Sequence, residues 1–305
     1  MTSDEALALD KLPDRIVIVG GGYIALEFAG IFQGLGVNVT LMFRQDLPLR
    51  GFDTDLRKTV NDNLRRRNID VRQNCSPLAI TRSEDDTLTL STSSGDIHAD
   101  AIMFATGRKP NTSRPDLGLL GIGVQLDADG AIIVDEYSRT SVQNVWAVGD
   151  AVRGPMLAHK GSEEASAVVE TIAGQHGHID FNTIPWVIYT EPEIAWVGKT
   201  EEQLKEAGVE YKVGTFPFAA NGRALAMNEP TGMVKLLADK ETDELLGAHI
   251  YAANAADLLS ECVVAMEFKG CAEDLARIVH AHPTLSEAVF EAAMNVDKRA
   301  IHKAN

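Results

Sequence analysis

The run Arg15-Ile16-Val17-Ile18-Val19-Gly20-Gly21-Gly22-Tyr23-Ile24-Ala25 decides the fold. After Arg15 come four β-branched apolar residues without alternation, Ile16–Val19, the pattern of a strand buried on both faces. Three glycines stop it. From Tyr23 to about Gly34 the period becomes helical, with Ile24, Phe28, Ile31 and Phe32 on one stripe, and Val37–Phe43 reads as a second strand. Strand, glycine turn, helix and strand in about 30 residues make a βαβ unit with parallel strands. Gly20, Gly22 and Ala25 fall on G-x-G-x-x-A. There the first glycine permits the turn, the second admits a pyrophosphate to the backbone, and the small third residue lets helix and strand pack, while the helix N-terminus at Tyr23 and Ile24 attracts negative charge. An ordinary glycine turn is the alternative.

The end of the second strand selects the dinucleotide. NAD calls for a carboxylate that accepts the ribose hydroxyls; NADP calls for cations at the 2′-phosphate. The strand ends Leu41-Met42-Phe43-Arg44, and Arg50 follows on the loop. Arginine's planar fork suits a phosphate, so NADP(H) rather than NAD is expected. The basic stretch of the next helix, Asp53–Asn68, reads as a solvated face.

Further along, Ser76–Ser83, Thr87–Thr92 and Ala101–Ala105 read as strands, with a turn at Ser94-Gly95-Asp96. Ala131–Asp135 and Val145–Val148 read as short strands, and Leu157–Ala173 as a helix. The last third offers four strands (Trp186–Tyr189, Glu210–Phe216, Met233–Ala238, Leu245–Tyr251). Its helices are Glu201–Ala207, with a Thr200/Gln203 capping box, then Ala253–Phe268, Ala272–Val279 and Leu285–Met294. The expected fold is an α/β Rossmann-like nucleotide-binding domain (1–110), a central domain (111–182) and an α+β interface domain (183–305).

These motifs resemble the FAD-dependent pyridine nucleotide–disulfide oxidoreductases. Gly20–Gly30 with Arg44 and Arg50-Gly51-Phe52-Asp53 is similar to the NADPH domain of glutathione reductase. The resemblance implies that Tyr23 covers the nicotinamide pocket and that Glu27 sits beside the nicotinamide. Thr106-Gly107-Arg108 matches the exit from that domain. Val145-Trp146-Ala147-Val148-Gly149-Asp150 matches the second FAD motif, with Asp150 on the ribityl–phosphate part of the flavin and the helix from Leu157 and Ala158 aimed at its charge. Beyond Asp150 the match shifts to dihydrolipoamide dehydrogenase, through Gly154–Lys160, Val187–Gly198, Gly214–Phe218 and His280–Ala288. There His282 would be the acid–base partner of a reactive thiol, with Glu287 holding its ring. Thr284-x-x-Glu287 is also a capping box, so Glu287 has a purely structural alternative. His280 reads as structural.

The resemblance implies hydride transfer from NADPH through FAD to a disulfide, in a homodimer. It also implies a first FAD-binding unit with a Cys-x4-Cys pair ahead of the segment seen here. The sequence contains only Cys75, Cys262 and Cys271, so the flavin site is expected to be incomplete and apolar surface exposed around residues 105–185. A separate chain supplying the flavin domain, or an NADP-binding dimer without turnover, are the readings this leaves. With 28 Lys and Arg against 44 Asp and Glu in 305 residues, the formal net charge of −16 argues against nucleic acid and anionic membrane as partners. The cysteine spacing matches no zinc site, and the acidic start (Asp4, Glu5, Asp10) fits neither a signal peptide nor a presequence. A reduced, cytoplasmic protein is expected.

Overall fold

The structure, a computed structural model, describes residues 1–305. They form two compact units, one of residues 1–107 with 185–305 and one of residues 108–184. In chain order the first contains α1 (Ser3–Ala6), β1 (Arg15–Val19), α2 (Tyr23–Gly34), β2 (Asn38–Met42), α3 (Thr54–Arg66), β3 (Asp70–Arg72), β4 (Pro77–Arg82), β5 (Leu88–Thr92), β6 (Gly95–Ala99) and β7 (Ala101–Phe104). Strands β3-β2-β1-β7 form a parallel sheet, with Ile16 beside Val39 on one neighbour and Ala101 on the other. The unbroken apolar run of β1 has a direct cause. Ile16 and Ile18 pack with Leu26, Phe28, Phe32, Leu56 and Val60 of the helices. Val17 and Val19 face Cys75, Leu90, Ala99 and Ile102 beneath the antiparallel β4-β5-β6 meander.

The second unit has one long helix, α4 (Ala158–Ile172), and a small core of Val124, Ile132 and Val152. The strands expected at 131–135 and 145–148 are not formed. Isolated bridges join Ile132 to Leu126 and Val152, and Arg139 to Trp146. Two or three β-branched residues without a continuous partner cannot extend a ladder. This unit does expose large apolar side chains, among them Leu117, Leu120, Ile122, Val169 and Ile172.

The remainder of the first unit holds β8 (Trp186–Ile188), β9 (Glu193–Gly198), α5 (Glu201–Glu206), β10 (Tyr211–Pro217), α6 (Gly222–Met227), β11 (Met233–Asp239), β12 (Leu245–Ala252), α7 (Ala255–Glu267), α8 (Ala272–Arg277) and α9 (Glu287–Val296). The antiparallel sheet runs β10-β11-β12-β9-β8, with five strands rather than four. The extra one, β9, is a central strand that follows Pro192 closely. Two further short strands, β3 and β6, and the helix α6 also lie outside the expected elements. The α5 capping box forms as expected, Thr200 accepting from the Gln203 amide and Gln203 from the Thr200 amide. Helices α7, α8 and α9 cover one face of the sheet. Ile188, Ile194, Trp196 and Tyr251 on the other join the core beneath α2 and α3.

Candidate functional site

The glycine turn lies between β1 and α2. Gly20 has φ +146°, and a Cβ there would stand 2.2 Å from the Ala105 carbonyl oxygen, so only glycine fits between β1 and the chain leaving β7. Gly22 is the N-cap of α2 and, having no side chain, supplies no side-chain cap to the helix start at Tyr23 and Ile24. A Cβ at Gly22 would meet nothing within 4 Å, and Ala25 is fully buried behind the turn. An uncapped helix start facing open space is the feature a pyrophosphate would use. The residues present fit a dinucleotide.

Arg44 lies two residues beyond Met42, the end of β2, and Arg50 sits further along the same loop. Both are exposed, and neither forms an ion pair. The basic face of α3 is less solvated than its composition suggests. Arg57 donates to the carbonyls of Pro48 (2.7 Å) and Leu47 (3.0 Å), and Arg67 to that of Glu191 (2.6 Å). On α2, Glu27 accepts the Tyr189 amide at 2.9 Å; burial pushes its carboxyl pKa up, partly offset by that bond. This contact holds Glu27 against the β8 end, a link that sequence spacing did not reveal. Tyr23 is half-buried at the head of the helix.

Thr106 and Gly107 follow β7, with Gly107 at φ +137°. In the second unit, Arg108 lies 3.6 Å from Asp150 in a half-exposed pair. Gly149, at φ +71°, is gripped on both sides. Its amide donates to Glu164 (2.6 Å), its carbonyl accepts from Lys160 (3.1 Å), and Lys160 and Glu164 are themselves paired at 3.1 Å with essentially no exposure. Sequence reasoning passed over both residues, although Lys160 lay inside a quoted motif. Leu157 is the N-cap of α4, again without a side-chain cap, and the positive end of the helix dipole lies at Ala158. An exposed carboxylate at Asp150 and a helix start without a side-chain cap are an acceptor and a positive helix end of the kind a flavin's ribityl and phosphate groups require.

His282 and Glu287 meet at 2.9 Å, Nδ1 to Oε1. The capping-box alternative is half realised. Ser286, not Thr284, is the N-cap of α9, and the Thr284 hydroxyl donates to Ala281, yet the Thr284 amide does donate to Glu287 Oε2 at 2.8 Å. One oxygen thus holds the loop and the other holds the ring. Burial opposes ionisation of Glu287, but the Thr284 amide and His282 together keep its carboxyl below the usual range. With Nδ1 bound to a carboxylate, which only accepts, Nε2 is left to exchange protons on an exposed ring. His280 is occupied structurally, between Ile278 O and Glu261 with its ring against Phe290. Cys75 and Cys262 are buried, and Cys271 bonds to Asp274.

Residues 1–165 match the pyridine nucleotide-disulphide oxidoreductase family, and residues 184–293 match its dimerisation domain. The chain belongs to this family. A dihydrolipoyl dehydrogenase from Cupriavidus necator is 45% identical over 304 residues, covering 98% of this chain and 64% of that protein, and it aligns across both sides of Asp150. LpdA from Mycobacterium tuberculosis superposes with a TM-score of 0.89 at 27% identity, over 96% of this chain and 64% of its own. The HOCl-induced flavoprotein disulfide reductase RclA from Escherichia coli gives 0.89 at 28%, over 96% and 67%. The chain therefore spans somewhat under two thirds of the curated relative's length. Family membership implies a pyridine nucleotide and FAD. No helix is long and apolar enough to cross a membrane.

Proposed function

We propose that this chain carries the nucleotide-binding, second-flavin and proton-handling parts of an NADPH-dependent flavoprotein disulfide oxidoreductase that works as a homodimer. The observation that carries this reading is the His282–Glu287 pair, because a glycine turn alone serves many dehydrogenases whereas a carboxylate-held, exposed histidine in a chain of this family serves thiol chemistry. FAD, when bound, would relay a hydride's two electrons from the nicotinamide to the disulfide. The chain's own residues do the rest. The turn at Gly20–Ala25 and the α2 amides hold the pyrophosphate, Arg44 and Arg50 receive the 2′-phosphate, and Tyr23 and Glu27 border the nicotinamide. Gly149, Asp150 and the start of α4 at Leu157 and Ala158 hold the flavin's sugar and phosphate, with Arg108 alongside. His282 Nε2 moves the proton that a leaving thiolate takes up when the disulfide is cleaved, and Glu287 keeps the ring in one tautomer. An acidic chain with unpaired cysteines suits a reducing cytoplasm.

The test begins with the visible spectrum of the chain incubated with FAD and freed of excess, followed by NADPH oxidation with lipoamide or glutathione disulfide. A bound flavin band with turnover lost in His282→Gln supports the proposal. No band, with NADPH still bound, supports instead an NADP-binding dimer without turnover, which the lack of a close cysteine pair among Cys75, Cys262 and Cys271 favours. For the nucleotide, Arg44→Glu should weaken NADPH far more than NADH, and equal weakening would contradict the 2′-phosphate assignment.

A further inference from the structure

Lys235 on β11 is a lysine with 2% side-chain exposure, set among three carboxylates. Its Nζ donates to both oxygens of Asp53 (2.9 and 3.1 Å) and to Asp55 (2.8 Å), and lies 2.5 Å from Glu201. Asp53, with no exposure at all, is also the N-cap of α3, accepting the Asp55 amide at 3.1 Å. The nucleotide-site residues use none of this directly, yet the cluster ends three residues after Arg50.

The loop carrying Arg50 is fastened at every other point. Leu49 donates its amide to the Gly21 carbonyl at 2.7 Å, which ties the loop to the glycine turn itself. The carbonyls of Leu47 and Pro48 are held by Arg57, a residue of α3. Phe52 packs its ring against Trp186 and Trp196 at 6.0 and 5.1 Å. Asp53 completes the frame, and Lys235 secures it twice: directly, and through the start of α3, whose Arg57 grips the loop's first half. Without Lys235, Asp53 would be a buried carboxylate facing Asp55 and Glu201 with no cation at the centre. It would have to turn toward water, and Arg50 would turn with it.

We infer that Lys235 is a positioning residue for the 2′-phosphate, holding the Arg50 loop in register with the glycine turn from a strand of the other sheet. The inference rests on the NADP reading above. It predicts that Lys235 governs the difference between nucleotides with and without that phosphate, while leaving the pyrophosphate cradle alone.

The experiment is calorimetric titration of the full chain with 2′,5′-ADP and with 5′-AMP, for wild type, Lys235→Met, Lys235→Arg and Asp55→Asn. The wild type should prefer 2′,5′-ADP. Lys235→Met should lose about tenfold of that preference, the size of one charge-assisted hydrogen bond, with 5′-AMP affinity held within about twofold. Lys235→Arg should restore much of the loss. If Lys235→Met does not fold, as a melting curve will show, Asp55→Asn at the exposed rim should lose roughly two- to threefold of the preference. A folded Lys235→Met or Asp55→Asn that keeps the full preference, or a loss shared equally by both ligands, overturns the role of Lys235. A wild type without preference overturns the NADP reading, and this inference with it.

Discussion

Gly20 and Gly22 stand two residues apart in one turn, and their replacement by alanine should fail for opposite reasons. At Gly20 the new Cβ would lie 2.2 Å from the Ala105 carbonyl oxygen and 2.8 Å from its carbon. An ordinary carbon–oxygen contact is about 3.3 Å, so the β7 exit must retreat by about 1 Å. That movement pulls at the Ala105 amide, which donates to Val19 at 2.8 Å. Overpacking and a residue forced to φ +146° together cost about 2–6 kcal/mol, or roughly 5–20 °C in melting temperature. At Gly22 the Cβ meets nothing and the backbone is extended, at φ −88°. Reduced freedom of the unfolded chain offsets the poorer N-cap, and the melting temperature should stay within about 4 °C. The methyl group would instead occupy the space a pyrophosphate needs. Losing one charge-assisted hydrogen bond of about 1.5–3 kcal/mol weakens binding by about 10–100-fold. Differential scanning calorimetry without ligand and isothermal titration with NADPH separate the two effects. If Gly22→Ala bound NADPH with wild-type affinity, or Gly20→Ala melted with the parent, the account of this turn would be wrong.

Three other perturbations test separate parts of the molecule. Lys160→Met strands the Glu164 carboxylate without its cation and should destabilise the 108–184 unit by about 3–5 kcal/mol, whereas adding Glu164→Gln keeps an acceptor for the Gly149 amide and should recover part of that in urea unfolding. Burial opposes ionisation of Glu201, yet hydrogen bonds from Lys235, Tyr211 and Lys205 bring its carboxyl down from 4.5 to about 2. A carboxyl depressed on folding stabilises fully above the unfolded value and less as pH falls toward the folded one. Glu201→Gln should therefore melt below wild type at pH 6, with the gap closing as pH drops from about 4.5 to about 2; a constant gap would contradict the linkage. In Glu287→Ala, nitrogen-detected NMR should show the neutral His282 ring losing its preference for the Nδ1–H tautomer, because the acceptor at 2.9 Å is gone. An unchanged tautomer ratio would mean the carboxylate does not orient the ring.

How much of this was legible depended on whether a residue's partner lay nearby in sequence. The β1–turn–α2 unit was readable to the residue, because an apolar run buried on both faces, a glycine that nothing else can replace, and an apolar helix stripe are local patterns with one structural solution. The Thr200–Gln203 box was readable for the same reason. Strand β6 was not: its five residues, Gly95–Ala99, carry two polar side chains and one large apolar one, Ile97, and its ladder to β5 is visible only once the meander has folded. The expected strands of the 108–184 unit failed in the opposite direction, since β-branched residues there found single bridges in place of a ladder. A strand requires a neighbour, and composition does not supply one.

The same limit explains why the candidate site was found only in its first layer. Gly20, Gly22, Arg44, Arg50, Asp150 and His282 are exposed or at turns, where residue type and position announce chemistry. Lys160, Glu164, Lys235, Asp53 and Glu201 sit 4 to 182 residues from the groups they hold. A buried lysine has no sequence signature that separates it from a surface one. Each of these ion clusters is costly to desolvate, and an apolar replacement would stabilise the fold at least as well. Their value therefore lies in fixing a particular group: the Gly149 peptide ahead of Asp150 in one unit, and the Asp53 carboxylate behind Arg50 in the other. Both units thus place a dehydrated lysine–carboxylate pair within a few residues of an exposed charge, Asp150 in one and Arg50 in the other. The cost of burial is offset only if the geometry of that exposed charge matters, which ties the hidden layer of the structure to the site that composition made visible.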